Sequence, residues 1–115
     1  MADPTSPTDL RSLMETAQRI QAEVGRVREE LASKTVEAET GGGLVRCVAN
    51  GRGEVLSVTI DPSLLEGPAG NNKKMIEDLL VGVINLVIDR ARQLAQDELV
   101  QATGGLPMPP GLFGG

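Results

Sequence analysis

The chain has 115 residues, a mass of 12.1 kDa and a formal net charge of −5: enough for one folded domain, and not the basic balance that by itself suggests a nucleic-acid partner. It contains no His, Trp or Tyr and a single Phe, Phe113, which excludes imidazole-dependent catalysis, Cys/His zinc sites and aromatic base-stacking platforms. The lone Cys47 cannot close an intrachain disulfide, no signal-like segment opens the chain, and no apolar run approaches the roughly 20 residues of a membrane span, so a cytoplasmic protein without membrane, metal, cofactor or small-molecule substrate is expected.

Residues 1–6 read as a loose lead-in, residues 7–103 as the folded domain and residues 104–115 as a tail. Ser6-Pro7-Thr8-Asp9 carries a hydroxyl at the N-cap, proline at the first helical position and an acid at the third, which is a helix start. Leu10, Leu13, Ala17, Ile20, Val24, Val27 and Leu31 then recur at alternating steps of 3 and 4, a heptad seam on a first helix expected over Pro7–Ser33. Glu15, Arg19, Glu23, Arg26 and Glu30 put alternating charge on its outer face, with Arg19 expected to pair with Glu15 or Glu23 and Arg26 with Glu30.

The period then drops to 2. Thr35–Thr40, Leu44–Ala49 and Glu54–Ile60 have strand composition, separated by Gly41-Gly42-Gly43 and by the hairpin signal Asn50-Gly51-Arg52-Gly53. Leu56, Val58 and Ile60 fall on one face of the third strand, the expected core face. The three strands read as an antiparallel meander. The glycine triplet opens a strand rather than a helix, which makes it a turn and not a phosphate cradle. Cys47 reads as a small buried residue of the sheet rather than a reactive thiol.

Asn71 or Asn72 can cap a second helix from about Lys73 to Ala102. Its apolar residues, Met75, Ile76, Leu79, Leu80, Val83, Ile84, Leu86, Val87, Ile88, Ala91, Leu94 and Ala95, cover about half the circumference, too much for one packing partner. The first helix would span roughly 40 Å at 1.5 Å per residue, whereas a seven-residue strand spans about 23 Å, so much of that helix must overhang the sheet. Uncovered apolar area on both helices points to a homodimer, with Ile76, Leu80, Val83 and Val87 as candidate interface residues. The tail holds Pro107, Pro109 and Pro110 with several glycines, so it forms no regular element and is expected to be dispensable for folding.

The string Gly42-Gly43-Leu44-Val45-Arg46, then Asn50 to Val58, Ile60-Asp61-Pro62-Ser63-Leu64-Leu65, the apolar second helix and the Thr103-Gly104-Gly105-Leu106-Pro107 tail resemble the YbaB/EbfC family of bacterial nucleoid-associated proteins, roughly from Leu10 to Phe113. One departure is the Gly67–Asn72 connection, longer and less charged than usual. The resemblance implies an α+β, α-β-β-β-α fold, a tweezer-like homodimer, binding to double-stranded DNA in the nucleoid, and a link to chromosome organisation, gene regulation or recombination repair. It transfers no contact residue.

Arg11, Arg19 and Arg26 project from the first helix and Arg90 and Arg92 from the second; taken alone they read as surface ion pairs. With the resemblance, Arg19, Arg26, Arg90 and Arg92 become candidate backbone-phosphate contacts, with Lys73 and Lys74 next. A second reading stays open: a dimeric adaptor that binds a protein of the repair machinery, with DNA contact weak or indirect. No candidate catalytic residue emerges.

Overall fold

The computed structural model describes residues 7–67 and 72–104. In chain order they form α1 (Pro7–Leu31), β1 (Thr35–Thr40), a 3-10 turn over Gly41–Gly43, β2 (Val45–Asn50), β3 (Val55–Ile60), a 3-10 turn over Pro62–Leu65 and α2 (Lys73–Ala102). The α-β-β-β-α order and the antiparallel meander β1-β2-β3 are those expected from the periodicities. The anticipated Ser6 cap lies outside the described residues. α1 stops two residues short of Ser33, because the amides of Ala32, Ser33 and Lys34 close i−3 bonds onto Glu29, Glu30 and Leu31 before the chain extends.

All three residues of the glycine triplet have positive φ, 64°, 69° and 98°, a backbone that side-chain-bearing residues adopt only with strain. The β2–β3 hairpin is organised by Asn50, a buried polar residue. Its Oδ1 accepts from the amides of Arg52 and Glu54, and its Nδ2 donates to the Glu54 carboxylate at 2.9 Å. Gly51 donates its amide to the carbonyls of both Leu31 and Lys34 at 2.9 Å, so the hairpin also ties down the end of α1.

Register sets the core. Ala38 faces Cys47, Val45 faces Ile60 and Cys47 faces Val58 across the strands, so these side chains share the face on which α2 lies. Ala38, Val45, Cys47, Ala49, Leu64, Val83 and Val87 form the buried cluster, and each fully buried valine contributes roughly 1.5–3 kcal/mol. α2 runs over β1 and β2: the Thr40 hydroxyl donates to the Leu79 carbonyl at 2.9 Å, and Arg90 donates to the Glu37 carbonyl. α2 does not lie over β3. Leu56 and Val58, expected on the core face, are therefore exposed, and only Ile60 is partly buried. A bulge sets Ala49 opposite Val55 and Val48 opposite Ser57, leaving Leu56 as the extra residue and ending strict alternation there.

The C-terminal part of α2 leaves the sheet and packs on α1, where Val24, Val27, Leu31 and Leu99 are buried and Lys34 bridges to Glu98 at 2.7 Å. The rest of α1 overhangs, as the length mismatch predicts, and Leu10, Leu13 and Met14 are exposed. The molecule measures 76 × 21 × 18 Å with a radius of gyration of 21.2 Å, against about 13 Å for a compact chain of this length.

The joint at Gly51 admits no side chain: a Cβ there would lie 2.6 Å from Leu31 Cδ2 and 2.9 Å from the Leu31 carbonyl oxygen. Gly51→Ala is expected to cost about 1–3 kcal/mol through this overpacking, read as a lowered urea midpoint, whereas Gly82→Ala, whose Cβ meets only Thr40 Cγ2 at 3.5 Å, should leave the midpoint within the range of an ordinary helix substitution.

Candidate nucleic-acid interface

On a wheel of roughly 100° per residue, Arg11, Arg19 and Arg26 fall within about 80° of one another on the side of α1 turned away from Val24, Val27 and Leu31. Burial of those three apolar residues against α2 therefore directs the arginines outward. Their electrostatic settings differ. Arg26 is held by two acids, Glu23 at 2.8 Å and Glu30 at 2.5 Å, both in solvent. The guanidinium holds the Glu23 carboxyl below the usual carboxylate range, chiefly by hydrogen bonding, and its own pKa is raised in return. Such exposed pairs are screened by solvent, exchange readily and add little to stability. Arg19 makes no ion pair among the described residues, contrary to the pairing expected with Glu15 or Glu23, because Glu23 turns toward Arg26. Arg11 and Arg52 are likewise without an ion pair among the described residues.

The cations of α2 are placed differently. Arg90 crosses to the backbone of β1 and lines a shallow recess with Glu37, Ala38, Glu39 and Arg46, where Arg46 and Glu39 are 3.3 Å apart. Two carboxylates beside it make this recess a poor seat for phosphate. Arg92 lies 3.8 Å from Asp89, a loose and exposed pair, and Lys74 bridges Asp78 at 2.9 Å. The four arginines singled out from the sequence are thus not gathered into one patch: Arg19 and Arg26 lie on α1, while Arg90 sits beside β1. Arg52, which sequence reasoning passed over, is exposed on the hairpin anchored to the end of α1; its place between Gly51 and Gly53 was the available signal.

The candidate interface residues are also divided by the fold. Val83 and Val87 are 0% exposed within one protomer, packed on the sheet cluster, and Ile76 and Leu80 are partly buried at its margin. The sheet itself occupies the middle of the broad apolar face of α2. What remains open is its flank away from Arg90, carrying Val81 and Ile84, and the uncovered β3 with Val55, Leu56 and Val58.

No helix of the described residues is long and apolar enough to cross a membrane, and no group of three or more His, Cys, Asp or Glu among them is arranged to hold a metal ion.

Comparison with known proteins adds to this geometry. Residues 6–106 match the model of the YbaB/EbfC DNA-binding family. The chain belongs to that family. A nucleoid-associated protein of Anaeromyxobacter dehalogenans (strain 2CP-C) is 38% identical over 101 residues, covering 88% of this chain and 95% of the relative. Another from Psychrobacter sp. (strain PRwf-1) is 39% identical over 110 residues, covering 92% and 96%. The crystal structure of an uncharacterized protein from Helicobacter pylori has the same fold, with a TM-score of 0.62 at 22% identity over 81% of this chain and 91% of that one. The YbaB/EbfC match takes in the projecting half of α1 as well as the sheet, so the overhang belongs to the region the family model describes.

The one thiol of this YbaB/EbfC chain is structural. Cys47 is buried in the sheet core, and burial pushes its pKa up, which leaves little thiolate at neutral pH. Iodoacetamide should leave the folded protein unmodified at pH 7 and alkylate it fully in concentrated urea, as read by mass spectrometry; rapid alkylation of the native protein would show the sheet open at β2.

Proposed function

We propose that this chain acts as a homodimer that binds double-stranded DNA mainly through the phosphate backbone, as a component of the bacterial nucleoid. The observation that carries the reading is the projecting half of α1, which holds Arg11 and Arg19 without ion-pair partners among the described residues, on the side away from its apolar seam, in a chain of a DNA-binding family. Absence of aromatic side chains on any described element suits contacts that position the duplex without reading bases. Names of the relatives support the nucleoid setting.

Dimerisation is supported by the apolar surface that one protomer leaves open. Val55, Leu56 and Val58 on β3 and Val81 and Ile84 on α2 are exposed, and burying them against a second copy would complete the cover that α2 gives only to β1 and β2. Ile76 and Leu80 border this face, and Val83 and Val87 support it from beneath. Sedimentation equilibrium should give about twice 12.1 kDa. Val58→Asp, at a position already 40% exposed on an edge strand, should yield a monomer with an unchanged circular-dichroism spectrum; a wild type that sediments as a single chain at micromolar concentration would remove the dimer.

Duplex binding should be modest and steeply salt-dependent, because a chain of net charge −5 attracts DNA only through local cations. In anisotropy titrations, each arginine removed from a phosphate should flatten the log–log salt slope by about 0.9. Arg11→Ala with Arg19→Ala should weaken binding to all sequences alike, more than Arg92→Ala, while Arg90→Ala should act first on stability, since Arg90 clasps β1. Failure to bind even at about 50 mM salt, where phosphate contacts are strong, would favour the protein-adaptor reading that the acidic balance supports.

A further inference from the structure

The sheet has two edges, β1 and β3, and they are finished differently. The Asp61 amide donates to the Leu44 carbonyl at 2.7 Å, one step beyond the Val45–Ile60 pair. By antiparallel alternation the hydrogen-bonded pairs of β2 and β3 are then Arg46 with Thr59 and Val48 with Ser57, and the backbone groups of Val58 and Ile60 point out of the sheet. On the other side of β2, Val45, Cys47 and Ala49 bond to Thr40, Ala38 and Val36, which turns the backbone groups of Thr35, Glu37 and Glu39 outward along β1.

β1 is closed to a further strand. Arg90 reaches across from α2 and donates to the outward Glu37 carbonyl, and Glu37 and Glu39 set two carboxylates beside it; charge at an edge keeps another strand from adding. β3 has no such guard. Val55–Ile60 carries no charge, and Val55, Leu56 and Val58 are exposed. The acids that bracket it are turned back onto their own chain: Glu54 accepts from Asn50 Nδ2 and Asp61 accepts from the Ser63 amide, both at 2.9 Å.

We propose that β3 is the joining edge of the homodimer, two copies pairing β3 on β3 antiparallel into one six-stranded sheet. The inference rests on the homodimer read above and fixes where and in what register it closes. Outward groups must meet outward groups, so Val58 and Ile60 can face only even-numbered residues, and full overlap, with Val55 opposite Ile60, is excluded. One of the two nearest registers sets Val58 opposite Val58 of the second copy, Leu56 opposite Ile60 and Ser57 opposite Thr59, apolar with apolar and hydroxyl with hydroxyl. The other, with Ser57 opposite itself, lays Val55 against Thr59 and the Glu54 carboxylate against Ile60. Complementarity selects the first. A two-fold axis at Val58 stops the assembly at two chains, because the outermost strands are then both β1, each guarded by Arg90.

Disulfide cross-linking tests both the edge and the register. Opposite residues of a pair without mutual hydrogen bonds have Cα atoms about 4.5 Å apart, within reach of a disulfide. Ser57→Cys and Thr59→Cys are placed in separate full-length chains at exposed positions, while Cys47 is buried in the core. Co-expressed and oxidised, the two variants are expected to run at twice 12.1 kDa on a non-reducing gel, and each alone as a single chain. In parallel the Ile60 amide should exchange slowly in the wild type and quicken in Val58→Asp, with Cys47 unchanged. Cross-linking of either variant by itself overturns the register. A co-expressed pair that sediments as a dimer yet forms no disulfide overturns β3 pairing alone, whereas a wild type that sediments as one chain overturns the homodimer with it.

Discussion

A helix about 10 Å wide covers two strands spaced 4.8 Å apart, not three, and every unusual feature of this chain descends from that mismatch between a small sheet and two long helices. α2 lies on β1 and β2, held by Arg90, which donates to the Glu37 carbonyl of β1, and by the Thr40 hydroxyl of β1, which donates to the Leu79 carbonyl of α2, and β3 is left without a cover of its own. The remaining length of α2 has no sheet beneath it and is stabilised instead by the last turns of α1. Two small cores follow, one of Ala38, Val45, Cys47, Ala49, Val83 and Val87, the other of Val24, Val27, Leu31 and Leu99, held in line by one continuous helix. The elongated outline is the geometric result.

Element order was legible because the signals are local: a change of hydrophobic period near Thr35, three glycines forced to positive φ, and an asparagine whose side chain can satisfy the amides of its own hairpin. The bounds of α2 are those expected from its pattern. Less legible was which apolar surface goes where. Val83 and Val58 carry equal hydrophobicity, yet one is wholly buried and the other open, and the difference lies in the lateral placement of α2 over the sheet, a tertiary fact. The bulge at Ala49 likewise shifts Leu56 out of the alternation that assigned it to the core. Spacing on α1 put Arg19 within reach of two acids, but a guanidinium with two geometrically better acids, Arg26, takes Glu23 for itself. Arg90 shows the same limit, because its backbone partner at Glu37 is 53 positions away in the chain.

Charge on this chain is local, and the total of −5 describes no single face. At physiological salt, fields from exposed charges fade over about 8 Å, so the field at the outer half of α1 is set by Asp9, Arg11, Glu15 and Arg19 and not by the total. Glu39 with Arg46, Asp78 with Lys74 and Glu98 with Lys34 neutralise one another on the body. Arg11 and Arg19 lie beyond those pairs, on the segment farthest from them.

Gly25 is the only glycine in α1 and has open space around it. It stands between Val24 and Arg26, where the helix passes from its buried seat into solvent, and a glycine inside a helix weakens it by about 1 kcal/mol relative to alanine. The portion from Gly25 to Pro7 is about 27 Å long, with its Val24 end seated on α2, so about ten degrees of bending there would displace the tip by about 5 Å. Bending at Gly25 would move the tip of α1 without any rearrangement of the sheet.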